Sequence, residues 1–379
     1  MLENTNKISK NIDPLQKTIE LIKSKDFIVY FFVINTKGNA LASIEYVYRQ
    51  CKIMKEAGYN AKLMYEPDKQ GNPPDVSGWL GEEFNDLPHV SISTKDLNLK
   101  TADVIIIPEL FTPLMYSLRG VPCHKIILCQ NHENIFEFLG DEDSKAIQNK
   151  FNTTWTDTFK ITDAIVTGEK LKKYVSDFFY GMNIAVCPPP ITKQFTDRHP
   201  LKSPMIGMHC RTQRDVEKTI KKFYIKFPQY KWVAFKNLYG LSKEQFAQEL
   251  SECCVVCWID RQSTFGTFPL EAINCNVPVI GIIPDFISDW MLTEDGRINN
   301  TGIWIPSKIN MHDYIAEYIT AWMKDNIPEE LFTEMDTLKG KFSESEFEKN
   351  TVNIYEQFIS NRLNMLETSL EKIQQTIEV

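Results

Sequence analysis

The feature that most constrains this chain is a series of short, unbroken apolar runs, each followed by a small-residue turn and a helical pattern. DFIVYFFVI (26–34) is the first of them. It shows no polar alternation, so neither face of the predicted strand meets water. Parallel sheets covered by helices on both sides bury strands in this way. TKGNALASIEYVYRQCKIMKEAGYNAKLMY then reads as a turn, a helix ended by Gly58, and a second strand, NAKLMY. ADVIIIPEL, HKIILCQN, TDAIV and NIAV continue the series, the last stopped by three prolines. The alternation predicts a doubly wound α/β domain.

A polar, proline-bearing stretch, TKQFTDRHPLKSP (192–204), reads as an interdomain linker. A second alternation follows it, through MIGMHC, KWVAFK, CCVVCWI, VPVIGI and TGIWIP. At 379 residues the chain is long for one core, so two Rossmann-like domains are expected, at 1–195 and 196–344. Their shared cleft, outside the carboxyl ends of the strands, is where a ligand belongs. Residues 345–379 read as helical throughout. Ile359, Leu363, Leu366, Leu370, Ile373 and Ile377 step by four and three, a heptad-spaced seam. That seam suits a helix packing back on its own chain, or a homodimer contact.

Composition narrows the function classes. A net charge of -8 argues against wholesale coating of nucleic acid, although one basic groove would suffice for it. No stretch approaches 18 apolar residues, and the start, MLENTNKISKNIDPLQKT, has no apolar core of a signal peptide. KTIELIKSK is a faint candidate for a basic amphipathic membrane patch. Cys254 and Cys257 have metal-like spacing, but Val255, Val256 and Trp258 make this a buried strand in which cysteine packs as a small hydrophobe.

The densest chemical signal is STFGTFPLEAINCNVPVIG (263–281). Thr264, Gly266 and Thr267 allow close backbone approach, and Pro269 suits a first helical turn. Unpaired N–H groups at a helix start, with the helix dipole behind them, bind phosphate. Glu271 falls one turn inside, placed for ribose hydroxyls rather than phosphate. Taken alone, the stretch also suits an ordinary β-α unit with a surface carboxylate.

The same stretch resembles the donor-site signature of retaining glycosyltransferases of family 4, which have the GT-B fold: two Rossmann-like domains facing across a cleft, with a C-terminal helix returning to the first. Phe265, Gly266, Leu270, Glu271, Ala272, Pro278, Val279 and Ile280 carry the match. KGNALASIEYVYRQ, ITDAIVTGEKLKKYV, NNTGIWIP and FSESEFEKNTVNIYEQFI resemble the family's other landmarks in order and spacing. The family's first donor-site glutamate falls on Ser263 here, which leaves the identity of the sugar open; Asp260 lies three residues earlier.

The resemblance implies further roles. Arg211 matches the family's phosphate-binding arginine, with Arg214 or Lys218 as its partner. The Arg-x-x-Arg form resembles the rhamnosyltransferase-like branch. These residues belong to a basic run, from Arg211 to Lys236, of eight cations against Asp215 and Glu217. His132 resembles a histidine beside the donor sugar, with Glu133 and Glu137 near an acceptor. Gly38, with Lys37 and Asn39, sits on the first strand-to-helix turn and admits the diphosphate. The backbone of residues 264–268, Phe268 included, donates to the phosphates.

The implied function is retaining transfer of a hexosyl group from a nucleoside diphosphate sugar, without a metal or other cofactor. The acceptor is a glycan or a lipid-linked glycan, and the setting is cytoplasmic or peripheral to the inner membrane face. Transfer to a modified base of viral DNA and a catalytically silent nucleotide- or glycan-binding subunit are the alternatives.

Overall fold

The computed structural model describes residues 2–36, 41–68, 70–76, 78–93, 97–137, 154–199, 201–210 and 212–378. Seven strands form the first sheet: β1 (Ile28–Val33), β2 (Asn60–Tyr65), β3 (His89–Ser91), β4 (Val104–Pro108), β5 (His124–Cys129), β6 (Asp163–Val166) and β7 (Asn183–Val186). Five form the second: β8 (Ser203–His209), β9 (Ala234–Asn237), β10 (Cys253–Trp258), β11 (Val279–Ile282) and β12 (Ile303–Ile305). Their orders are β3-β2-β1-β4-β5-β6-β7 and β12-β11-β10-β8-β9. Every ladder is parallel, as continuous apolar runs demand. The strand order reverses between β1 and β4 in one sheet and between β8 and β10 in the other. Those two reversals open the crevices in which a doubly wound sheet binds ligands.

Burial follows the same logic. Val29, Phe31 and Val33 point to one face of β1, and Tyr30 and Phe32 to the other, into two separate core clusters. All six residues of β10 are buried, and all nine cysteines are free and buried. Burial pushes the Cys254 thiol up to about 12, so it packs as an apolar group.

The helix Glu344–Glu378 crosses back to the first domain. Phe347, Ile354, Tyr355 and Phe358 enter its core, and Ile359, Leu363 and Leu366 pack at the rim. This much of the heptad seam is therefore covered within the chain. An N-terminal helix, Leu2–Lys23, packs alongside, with Lys23 paired to Glu367 at 2.6 Å. Ile19 and Ile22 are buried, so the apolar side of the candidate membrane patch is turned inward. Among the described residues no helix is long and apolar enough to cross a membrane.

Arg362 fastens the crossing helix. Its guanidinium donates to the carbonyls of Thr101 and, at 3.2 Å, Asp103, and burial lowers its pKa to about 10. The Asp103 carboxylate in turn accepts from the N–H groups of Ile28 (2.9 Å) and Lys100 (2.7 Å). Arg362→Met should lower unfolding free energy by about 2 kcal/mol, because two carbonyls lose a charged donor. Urea titration of the intact chain measures it.

Candidate donor site in the interdomain cleft

The site is built where the carboxyl ends of β5 and β10 meet. After β10 the chain turns through residues 259–266 into the helix Thr267–Asn274. Gly266 is the N-cap, with φ 77°. A Cβ there would lie 3.2 Å from Trp258 and 3.4 Å from Trp290, so both backbone and packing call for glycine. Gly266 has no side chain to cap this helix, and among the described residues none donates or accepts there in its place, which leaves its start open to an anion. Phe268, Pro269, Leu270, Ala272 and Ile273 are buried and hold it rigidly. Phe268 stacks on His209 at 4.3 Å, and the Phe265 carbonyl accepts from Trp290 Nε1 at 2.6 Å.

Glu271 sits one turn inside this helix, partly exposed. Burial pushes its carboxyl up to about 7; Lys243 opposes the shift and Glu45 adds to it.

Thr264 is 4% exposed and joins the two domains. Its hydroxyl donates to Asn131 Oδ1 (3.1 Å) and accepts from the His132 backbone N–H (3.0 Å). The same oxygen lies 2.9 Å from His132 Nδ1. With the hydroxyl proton committed to Asn131, Nδ1 carries the imidazole hydrogen and Nε2 is left as an acceptor. Burial lowers the His132 pKa despite Glu133 and Asp285, so the ring is neutral at pH 7. It also stacks on Phe286 at 4.8 Å. Behind it, Asn131 N–H donates to Glu109 Oε1 at 2.9 Å. Glu109 is buried at the end of β4, and desolvation raises its pKa to about 7.

Two further contacts span the domains. Asp289 caps the helix Glu169–Phe178, accepting from Lys170 N–H at 3.0 and 3.1 Å. A Cβ at Gly168 would lie 2.5 Å from that carboxylate, so a larger residue there would have to displace the Asp289 side chain. Lys243, the first residue of the helix Lys243–Glu252, pairs with Glu45.

The structure thus brings together Ser263, Thr264, Phe265, Gly266, Thr267, Phe268, Glu271 and, across the cleft, His132. Thr264 differs from its expected place: its side chain faces the other domain rather than simply clearing the backbone for phosphate. Gly38 and Asn39, with Lys37, lie outside the described residues, as does Arg211. Glu133 adjoins His132, whereas the side chain of Glu137 is not among those described.

Arg214 and Lys218 lie exposed on the helix Gln213–Lys226. Much of the basic run is engaged elsewhere. Lys226 pairs with Asp313 and Lys236 with Glu249, both at 2.6 Å, while Lys222 donates to the Ile309 carbonyl. Sequence reasoning missed Lys243, although the Ser-x-x-Gln capping box of LSKEQ marks the helix start that places it. It also passed over Glu109 at the carboxyl end of a strand.

Two parallel-sheet domains meeting at their strand carboxyl ends, with a terminal helix crossing back, define the GT-B fold. Comparison with known proteins agrees. No family model matches the chain. It is 21% identical over 281 residues to an alpha-1,6-glucosyltransferase of Actinobacillus pleuropneumoniae serotype 7, covering 70% of this chain and 79% of that protein. Among solved structures, sucrose-phosphate synthase from Thermosynechococcus elongatus superposes with a TM-score of 0.59 at 12% identity, over 88% of this chain and 100% of that one. The pneumococcal O-GlcNAc transferase GtfA, solved with UDP and GlcNAc, gives 0.55 at 12% identity, over 92% and 99%. The fold is therefore GT-B.

Proposed function

We propose that the protein is a glycosyltransferase that moves a sugar, with retention, from a nucleoside diphosphate sugar to a glycan or lipid-linked acceptor. The observation that carries this is Glu271, one turn inside an uncapped helix start, with a neutral His132 presented from the opposite domain. The uncapped N–H groups of the helix start receive the diphosphate, and Glu271 accepts hydrogen bonds from the ribose. Arg211, with Arg214 or Lys218, adds positive charge as the leaving group gains electrons. His132 Nε2 accepts from a hydroxyl of the transferred sugar.

Retention is the outcome that the family 4 resemblance implies. The bond from the anomeric carbon to the diphosphate breaks, the acceptor oxygen bonds to that carbon on the same face, and the acceptor proton passes to the departing phosphate. Positive charge in this scheme comes from helix N–H groups and side chains, and no step runs through a metal. The glucosyltransferase relative and the GtfA complex with UDP support UDP-glucose as the first donor to try.

Thermal stabilisation by UDP, GDP, dTDP and their sugars, with NAD as control, tests the proposal. One diphosphate at 100 times its dissociation constant should add about 2.7 kcal/mol, and Glu271→Ala should abolish the gain. No response to any of them overturns it. Thr264→Val, which keeps the shape of Thr264 but removes its hydroxyl, should lower kcat about tenfold with the fold intact. Nitrogen NMR of the His132 ring should show the Nδ1–H form giving way to a mixture.

A further inference from the structure

Lys243 is bonded to one carboxylate, Glu45, and its charge favours ionisation of a second, Glu271. Its helix packs beside Thr267–Asn274, so that its ammonium acts on Glu271. The same ammonium crosses the cleft to Glu45, in the first turn of the helix Ala42–Glu56. Glu45 also holds Arg49 Nε at 2.7 Å, and Arg49 reaches Glu344 on the crossing helix at 3.0 Å. The network is sheltered: the Glu45 and Arg49 side chains are each 14% exposed and that of Lys243 is 23% exposed. Glu45 therefore has two cations bonded to it, while no ion pair ties Glu271 among the described residues and Lys243 acts on it through its charge alone.

We infer that Lys243 is a positioning residue divided between Glu45 and Glu271, so that the interdomain ion pair sets the affinity of the ribose carboxylate for nucleotide. The inference rests on the proposal that Glu271 takes the ribose hydroxyls. The ionisable groups acting on Glu271 are Lys243 from the neighbouring helix and Glu45 from the first domain. Cys275 lies one turn along its own helix, its thiol pushed up by burial and then by Glu271. Lys202 donates to the Cys275 carbonyl at 2.9 Å, and Arg49 and Glu344 act through Glu45.

An ionised carboxylate accepts two ribose hydroxyls, and a protonated one accepts them less well. Nucleotide affinity should then fall as pH drops through neutrality. Loss of the Lys243 charge moves the midpoint up, and loss of the Glu45 charge moves it down. A latch that merely held the domains together would weaken binding in both variants alike.

The test is calorimetric titration with UDP-glucose, GDP-glucose and dTDP-glucose from pH 5.5 to 8.5, a window in which their diphosphate diesters do not ionise. Lys243→Met should raise the midpoint by about one pH unit and weaken binding at pH 7 about fivefold. Lys243→Arg should restore the parent profile. Glu45→Gln should lower the midpoint and tighten binding. Shifts of the same sign in Lys243→Met and Glu45→Gln overturn the inference. Binding weakened by Glu271→Gln but unshifted by Lys243→Met overturns it alone. Binding indifferent to Glu271→Gln removes the ribose assignment, and this inference with it.

Discussion

Glu271→Gln should lower kcat/KM for the nucleotide sugar about a hundredfold while making the ligand-free protein more stable at pH 8. The first effect follows from losing a charged acceptor at the ribose, on the order of 3 kcal/mol. The second follows from burial. A carboxyl whose folded pKa is raised from 4.5 to about 7 binds its proton more tightly when folded. It does not penalise the fold below its unfolded pKa near 4.5; the penalty grows between there and 7 and is complete above. Partial exposure reduces it to on the order of 2 kcal/mol. Glutamine does not titrate, so parent and variant should agree at pH 4.5 and diverge as pH rises. Denaturant titrations at pH 4.5, 6 and 8 read the divergence, and parallel curves would count against a buried functional carboxylate.

Gly266→Val should cost about 3 kcal/mol of stability and abolish nucleotide binding. Two penalties combine. A left-handed backbone at φ 77° costs a β-branched residue about 1–2 kcal/mol. A Cβ would also lie 3.2 Å from Trp258 and 3.4 Å from Trp290, and the valine methyls extend further. Neither indole can yield, since both are at most 3% exposed and both pack edge-on to Trp304. The loop must move instead, carrying residues 264–268 away from the helix start. Gly240→Val supplies the control: φ is again 77°, but nothing lies within 4 Å of its Cβ. It should show the backbone penalty alone.

Much of the fold was legible because burial on both faces of a parallel sheet leaves an unbroken apolar run. β1, β4, β5 and β10 each announce themselves in that way. β3 did not, being three residues long and only half-buried. The N-terminal helix was hidden for a different reason. LENTNKISKNIDPLQKT is mostly polar, and Ile19 and Ile22 acquire a core only when the crossing helix arrives from the far end of the chain.

In the site, the carboxylate on an apolar helix at Glu271 could be found from local pattern. The tautomer of His132 could not, since Thr264 is 132 positions away. The partners of the basic run could not be found from local pattern either, because they lie far along the chain, as when Lys226 meets Asp313, 87 residues on.

The crossing helix also fixes an order of assembly during synthesis. Tyr355 and Phe358 are essentially buried in the first domain's core, and the Tyr355 hydroxyl donates to buried Gln50 at 2.5 Å. Until residues 344–360 leave the ribosome, the first domain has an open apolar trough and an amide without its partner. The second domain, whose strands end at Ile305 and whose buried core ends at Leu338, has all of it earlier. The domain translated first is the one completed last, so a nascent chain stalled with residues 1–343 clear of the ribosome should hold a protease-resistant second half and a labile first half.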